Sequence, residues 1–226
     1  VHLEKAGTII DGEERKIDMK LVMEIRATNG NTYSYYVGEH CISETMAYMI
    51  ENMIYNNVIE SPSDFPYRVV NYVCEYFIPG FTDEPLNIIA LCDACLMHSF
   101  SGRALYFGLN ILKRYDKLTP EEIYDIMVSP QLLQETGVPQ NLTIEHLLKI
   151  RKDDAVNQMS GYFTANYDSM ITWTTQMLEA AYAIRMKNPY FMLEIARGRD
   201  IRNNKAFIDV LNEIGCPVIM NNQSNM

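Results

Sequence analysis

Pro85-Leu86-Asn87-Ile88-Ile89-Ala90-Leu91-Cys92-Asp93-Ala94-Cys95-Leu96-Met97 is apolar almost all round when wound as a helix. A helix of that kind is buried on most sides. Helical patterns flank it. Upstream, Asp64–Ile78 repeats Val69, Val70, Val73, Cys74 and Phe77 at helical spacing, with Pro66 read in its first turn and Ile78-Pro79-Gly80 as its stop. Downstream, Ser101–Tyr115 carries Leu105, Gly108, Leu109 and Leu112 along one stripe. Three helices with so little polar face need wrapping, so the remaining segments are expected to clad them.

Toward the N-terminus, Val1–Asp18 is polar and reads as a flexible tail. Met19–Ala27 places Leu21, Met23 and Ile25 on one side and Lys20, Glu24 and Arg26 on the other, which predicts a half-buried strand. Asn29-Gly30 is a hairpin signal, and Thr32–Val37 is the returning strand. Ser43 is the expected cap of a helix with Met46, Met49, Ile50, Met53 and Ile54 on its inner face. Val58–Ser63 is expected to be a short extended piece. Hairpin, helix, short strand and helical cluster together predict an α+β fold, mostly helical, with a small sheet on one side.

Toward the C-terminus, Thr119-Pro120-Glu121-Glu122 spells a capping box with Pro at the first helical position. Ser129-Pro130 starts a short helix ended by Gly137. Thr143 caps another, with Ile144, Leu147, Leu148 and Ile150 expected to face inward. Ser169–Lys187, opened by Asp168 or Asn166, has the stripe Met170, Trp173, Met177, Leu178, Ala181 and Ile184. Tyr190–Arg197, closed by Gly198, and Asn203–Ile214, stopped by Gly215 and Pro217, follow.

The chain has 226 residues, is 48% hydrophobic and carries a formal charge of −10. From Met159 onward acids and bases balance at six each, so the whole deficit lies before that point. This charge step is the best candidate boundary. An acidic front discourages nucleic acid and anionic membrane as partners and favours basic protein surfaces. No apolar run approaches the ~20 residues that span a bilayer. No signal peptide is visible, although a chain starting at Val1 is open to being a piece of a longer one. Five cysteines, mostly on apolar faces, suit reduced thiols in a cytoplasmic or nuclear protein.

Sites with chemistry are sparse. Cys92, Cys95 and His98 lie at i, i+3, i+6. Zinc needs a fourth ligand, so core thiols are the expected reading. Asp93 is the odd charge in an apolar helix, and Arg103 is its expected partner. Arg185, Lys187, Arg197, Arg199, Arg202 and Lys205 read as a solvated helical face, with a docking patch for an acidic partner or RNA as the alternative. Trp173 and the methionine stripes (Met46, Met49, Met53, Met170, Met177) read as core. No nucleophile elbow or phosphate loop is present, so no catalytic residue and no cofactor is implied.

Pro66-Tyr67-Arg68-Val69-Val70-Asn71-Tyr72-Val73-Cys74-Glu75-Tyr76-Phe77 resembles the elongin C helix that ends in Val-Cys-x-Tyr-Phe. Leu118-Thr119-Pro120-Glu121-Glu122-Ile123 is similar to the Lys-Thr-Pro-Glu-Glu-Ile motif of the Skp-type adaptors of ubiquitin ligases. Leu142-Thr143 followed by Arg151-Lys152-Asp153 is similar to their Phe-Thr … Arg-Lys-Glu ending. The resemblance covers roughly Met19 to Gln158. It implies a BTB/POZ-like domain over 19–115, Skp-like helices over 116–158 and an additional helical extension over 159–226. It implies a non-catalytic adaptor with an F-box-like receptor on one side, at Thr119, Pro120, Glu121, Ile123, Leu147, Ile150, Arg151 and Lys152. A cullin on the other side falls at Cys95 and Leu96. There the family's Ala-Ala-Asn-(Tyr/Phe)-Leu becomes Asp93-Ala94-Cys95-Leu96-Met97. The added helices are expected to bind a different partner or to fold back onto the receptor groove. The alternative is a BTB-type scaffold, self-associating, in a chromosomal or RNA-processing assembly.

Overall fold

The computed structural model describes residues 1–10, 13–26, 29–55, 63–162, 167–198 and 200–215, and no side chain of 5–18. Three antiparallel strands form one sheet in the order β1-β2-β3: β1 His2–Ile10, β2 Glu13–Arg26 and β3 Thr32–Val37. Ten α-helices follow among the described residues: α1 Glu39–Ile54, α2 Val69–Phe77, α3 Pro85–Leu96, α4 Ser101–Leu112, α5 Pro120–Met127, α6 Pro130–Glu135, α7 Ile144–Tyr162, α8 Asp168–Lys187, α9 Phe191–Arg197 and α10 Lys205–Ile214. The class is the mostly helical α+β architecture with a small sheet that the pattern implied.

The N-terminal stretch corrects the expectation of a tail. His2 pairs with Val22 and Ile10 with Glu13, so β1 runs along the Glu13-to-Val22 part of an extended β2, with an irregularity between Lys5 and Gly7. Backbone pairing needs no apolar alternation, and the polar composition therefore hid it. Within β2, Leu21 and Met23 enter the core. Val22, opposite His2 and Tyr36, is equally buried, whereas Ile25 is exposed at 37%. The β2–β3 pairing begins at Arg26↔Thr32, so five residues connect the strands rather than a tight two-residue turn, and Gly30 takes φ +85°.

Helix starts shift by a few residues. α1 begins after Gly38, and Ser43 lies inside it, its hydroxyl donating to the His40 carbonyl. The Phe65–Pro66 peptide is cis, and helix begins only at Val69, with Arg68 at the cap position and no side-chain capping bond. α4 ends at Leu112, and Arg114 and Tyr115 close it with short i−3 bonds. Val58 to Pro62 of the expected extended piece lie outside the described residues. The capping box at Thr119 is formed in both directions, by the Glu122 amide on the Thr119 hydroxyl and the Thr119 amide on the Glu122 carboxylate.

α3 is the hub. Ile88 to Cys95 are all at most 3% exposed, and the helix packs against α1, α4, α5 and α9. α9 belongs to this core through Leu193, Ile195 and Ala196. By contrast, α8 has no buried residue, and Leu147 is the one buried residue of α7. Trp173 (54% exposed) and Met170 (40%) therefore lie at the surface, not in the core as their spacing suggested. The first half of α4 meets the sheet at Gly102, where a Cβ would stand 2.1 Å from the Val37 carbonyl oxygen. The carbonyl is backbone and cannot swing away as the end of a flexible side chain would. Gly102→Ala is therefore expected to cost at least the ~1–3 kcal/mol of overpacking, visible as a lowered urea midpoint with unchanged helical circular dichroism under native conditions.

Candidate partner-binding surface

The face built by the end of α3, by α5 and by the first half of α7 holds the residues singled out from sequence. The chain's own C-terminal helices lie on it. Arg185 of α8 reaches Asp93 of α3 with both guanidinium nitrogens, at 2.7 Å each, and donates to the Pro189 carbonyl at 2.8 Å. Its plane lies over the Phe191 ring at 4.3 Å. Asp93 thus finds its cation 92 residues away and not at Arg103, which turns instead to the Glu135 carbonyl. A bidentate guanidinium is the strongest partner a buried carboxylate can take. Burial still pushes the Asp93 carboxyl above its ordinary range, against the pull of Arg185.

Around this pair sits an aromatic seam. Tyr124 of α5 meets Tyr190 edge to face at 5.3 Å, and the Tyr190 hydroxyl donates to Asp125 at 2.7 Å. That bond pushes the Tyr190 phenol up to about 12. At the far end of α5, Arg197 pairs with Glu121 and holds its carboxyl below the usual range.

The expected receptor-side residues divide into three groups. Thr119, Pro120 and Ile150 keep exposure, and Ile150, expected inward, is 45% exposed. Ile123 and Leu147 are buried in the fold itself. Glu121, Arg151 and Lys152 are already engaged within the chain. Arg151 donates to the carbonyls of Leu96, Met97 and His98, each at 3.3 Å, closing the negative end of α3. Lys152 pairs with Glu179 of α8 and lies over the Tyr182 ring. On the cullin side, Cys95 is fully buried and Leu96 packs on the core, so Cys95 offers no surface to a partner. Between α5, α7 and the end of α8 a cleft of about 200 Å³ remains, lined by Met97, Tyr124, Val128, Ile144, Leu148 and Met186 among others.

Other candidate chemistry is spent on structure. Burial raises the thiols of Cys74, Cys92 and Cys95 and keeps them protonated. His98 is held by the Met127 carbonyl at 2.7 Å and faces the Thr136 hydroxyl at 3.4 Å. The basic residues of the C-terminal third divide among inward pairs and an exposed face, on which Lys187, Arg202 and Lys205 lie. Arg185, Arg197, Arg202 and Lys205 each have a carboxylate partner, and Arg199 lies outside the described residues. Sequence reading missed Arg185 and Tyr190 as members of this face, since neither has a local signal. No helix among the described residues is long and apolar enough to cross a membrane. No family model, curated protein or solved structure matches the chain.

Removing one member of the Asp93–Arg185 pair strands a buried charge. Arg185→Met is expected to cost about 3–5 kcal/mol in urea unfolding, and adding Asp93→Leu to it should recover most of that loss. His98 gives a pH test. Burial lowers its folded-state pKa below the ordinary 6.5, so the unfolded chain binds the proton more readily. Its contribution is therefore whole above 6.5 and lost as pH falls below it. Stability should decline from pH 7 to 5, and less so in His98→Gln.

Proposed function

We propose that this chain is a non-catalytic adaptor of BTB/POZ-like design, similar to the Skp-type adaptors, which grips a helix of an F-box-like receptor by burial of apolar surface. A cullin is the second partner that this reading assigns, in a ubiquitin-ligase assembly of the cytoplasm or nucleus. One observation carries it. The Thr119-Pro120-Glu121-Glu122-Ile123 box opens α5 and seats Ile123 in the core against the hub helix, and the next turns of the same helix, at Tyr124 and Val128, line a cleft of mixed polar and apolar character with Ile144 and Leu148 of α7. The cleft admits one large anchoring side chain, as a helix docked in a groove supplies.

The C-terminal helices lie against the same face, so the receptor docks beside α8 and α9 rather than on a bare groove. The described buried thiols and His98 are all committed to packing or hydrogen bonds, which supports binding over catalysis. Burial of Cys95 weakens the cullin side and favours a second reading, a BTB-type scaffold subunit of a chromosomal or RNA-processing assembly.

Affinity purification of the tagged chain from its native source, followed by mass spectrometry, separates the two. Stoichiometric recovery of an F-box-like protein or a cullin is the expected result. Recovery of neither overturns the ligase role, and a stable complex with other proteins then favours the scaffold.

A further inference from the structure

α7 and α8 pack on each other as a two-helix arm, clasped by Lys152 on Glu179 and rooted in the body at Arg151 and Arg185. Beyond that root, little covers it. Met170 and Trp173 are 40% and 54% exposed, Tyr167 is 48% exposed and Tyr162 is 83% exposed. Exposed Trp, Tyr and Met at this density mark an interaction surface and not ordinary solvent-facing helix.

Their spacing has a direction. Met170, Trp173, Met177, Ala180 and Ile184 recur at intervals of three and four, the stripe of a helix that packs on another helix. At its lower end Ala180 and Ile184 face α10 across a cleft that Ala206 and Val210 also line. Among the described residues, nothing comparable covers Met170 and Trp173.

Charge selects the occupant. From Ala155 to Leu178 the sequence holds one ionisable acid or base of the Asp, Glu, Lys and Arg kind, Asp168, in a chain that is 21% charged overall. A basic partner finds a single carboxylate there, and an acidic partner finds no cation. A second copy meets a different requirement. In a two-fold contact each residue near the axis faces its own counterpart, so a charge near the axis repels itself. Two chains of net charge −10 repel on approach, and a contact through a neutral surface adds least to that repulsion. The arm supplies that surface.

We propose that the outer face of the α7–α8 arm, centred on Met170 and Trp173, is a self-association surface on which the arm of a second copy docks to form a four-helix contact. This surface is separate from the α3–α5 face and does not depend on the identity of its receptor. A contact confined to two helices per chain is small beside a whole-domain interface, so the dimer is expected to be reversible in the micromolar range.

Trp173 is the single tryptophan of the chain, so fluorescence reads the surface directly. Sedimentation equilibrium of the full chain across the micromolar range, with emission and iodide quenching measured in parallel, tests the proposal. Mass should rise from one chain to two as emission moves to the blue and quenching falls, with little change on adding salt. Met170→Glu should weaken association at least tenfold while retaining the fluorophore, and Trp173→Glu should do the same by mass. Both sites are exposed, so native helical circular dichroism is expected in each variant. A single-chain mass at every concentration overturns the proposal. So does a dimer that both variants leave intact, or a monomer whose Trp173 is already shielded, which would place residues 216–226 or another part of the same chain over the stripe.

Discussion

A helix buried on every side has no face left for charge, and α3 carries one. Asp93 sits among Ile89, Cys92, Ala94 and Cys95, all without exposure. An uncompensated carboxylate there would cost several kcal/mol, and the hub would not close. The chain resolves this by bringing Arg185 back from α8 and fixing it with Pro189 and Phe191. α9 then follows directly onto α3 and α1, where Leu193 and Ala196 complete the core. One buried charge thus ties the last third of the chain to the first.

The same logic accounts for the charge step near Met159. The chain before Met159 holds the acidic excess, and two bases of the last third are turned toward it. Arg185 meets Asp93, and Arg197 meets Glu121. Lys152 runs the exchange the other way, to Glu179. These pairs differ in weight. Asp93–Arg185 is nearly dry, with side chains 4% and 15% exposed, whereas Arg197–Glu121 is 41% and 34% exposed and contributes little beyond orientation. Of the bases that read as one solvated face in sequence, Arg185 and Arg197 thus turn inward to the front of the chain, while Arg202 and Lys205 stay on the exposed face with local partners.

What the sequence made legible was local. The capping box at Thr119, the stop at Gly137 and the greasy run of α3 each carry their signal within a few residues, and each stands where expected. What it hid was of two kinds. Backbone pairing of β1 leaves no apolar rhythm, although Asp11-Gly12 between the paired Ile10 and Glu13 is a dipeptide that favours short hairpin connections. Long-range partners leave none either. Asp93 could be recognised as needing a cation, but choosing Arg185 over the nearer Arg103 requires knowing how α8 returns. Likewise helical spacing placed Trp173 on a stripe, and spacing alone cannot say whether a stripe meets the body, its neighbour helix or solvent.

α7 and α8 put that last distinction in physical terms. A helix gains most of its stability from an apolar face it can bury. α3 achieves this completely within one chain, and α8 not at all to full burial. α8 nonetheless runs twenty residues, anchored at one end by Arg185 and along its side by the Lys152–Glu179 pair and Tyr182. Solvated helices of this length are ordinarily studded with charges spaced to pair along the face. The stretch Ser169–Leu178 has none. Such a helix lacks both usual sources of support over its outer half, apolar burial and surface ion pairs. Its hold on α7 supplies part of the deficit, and the remainder is met when a further apolar surface covers the stripe.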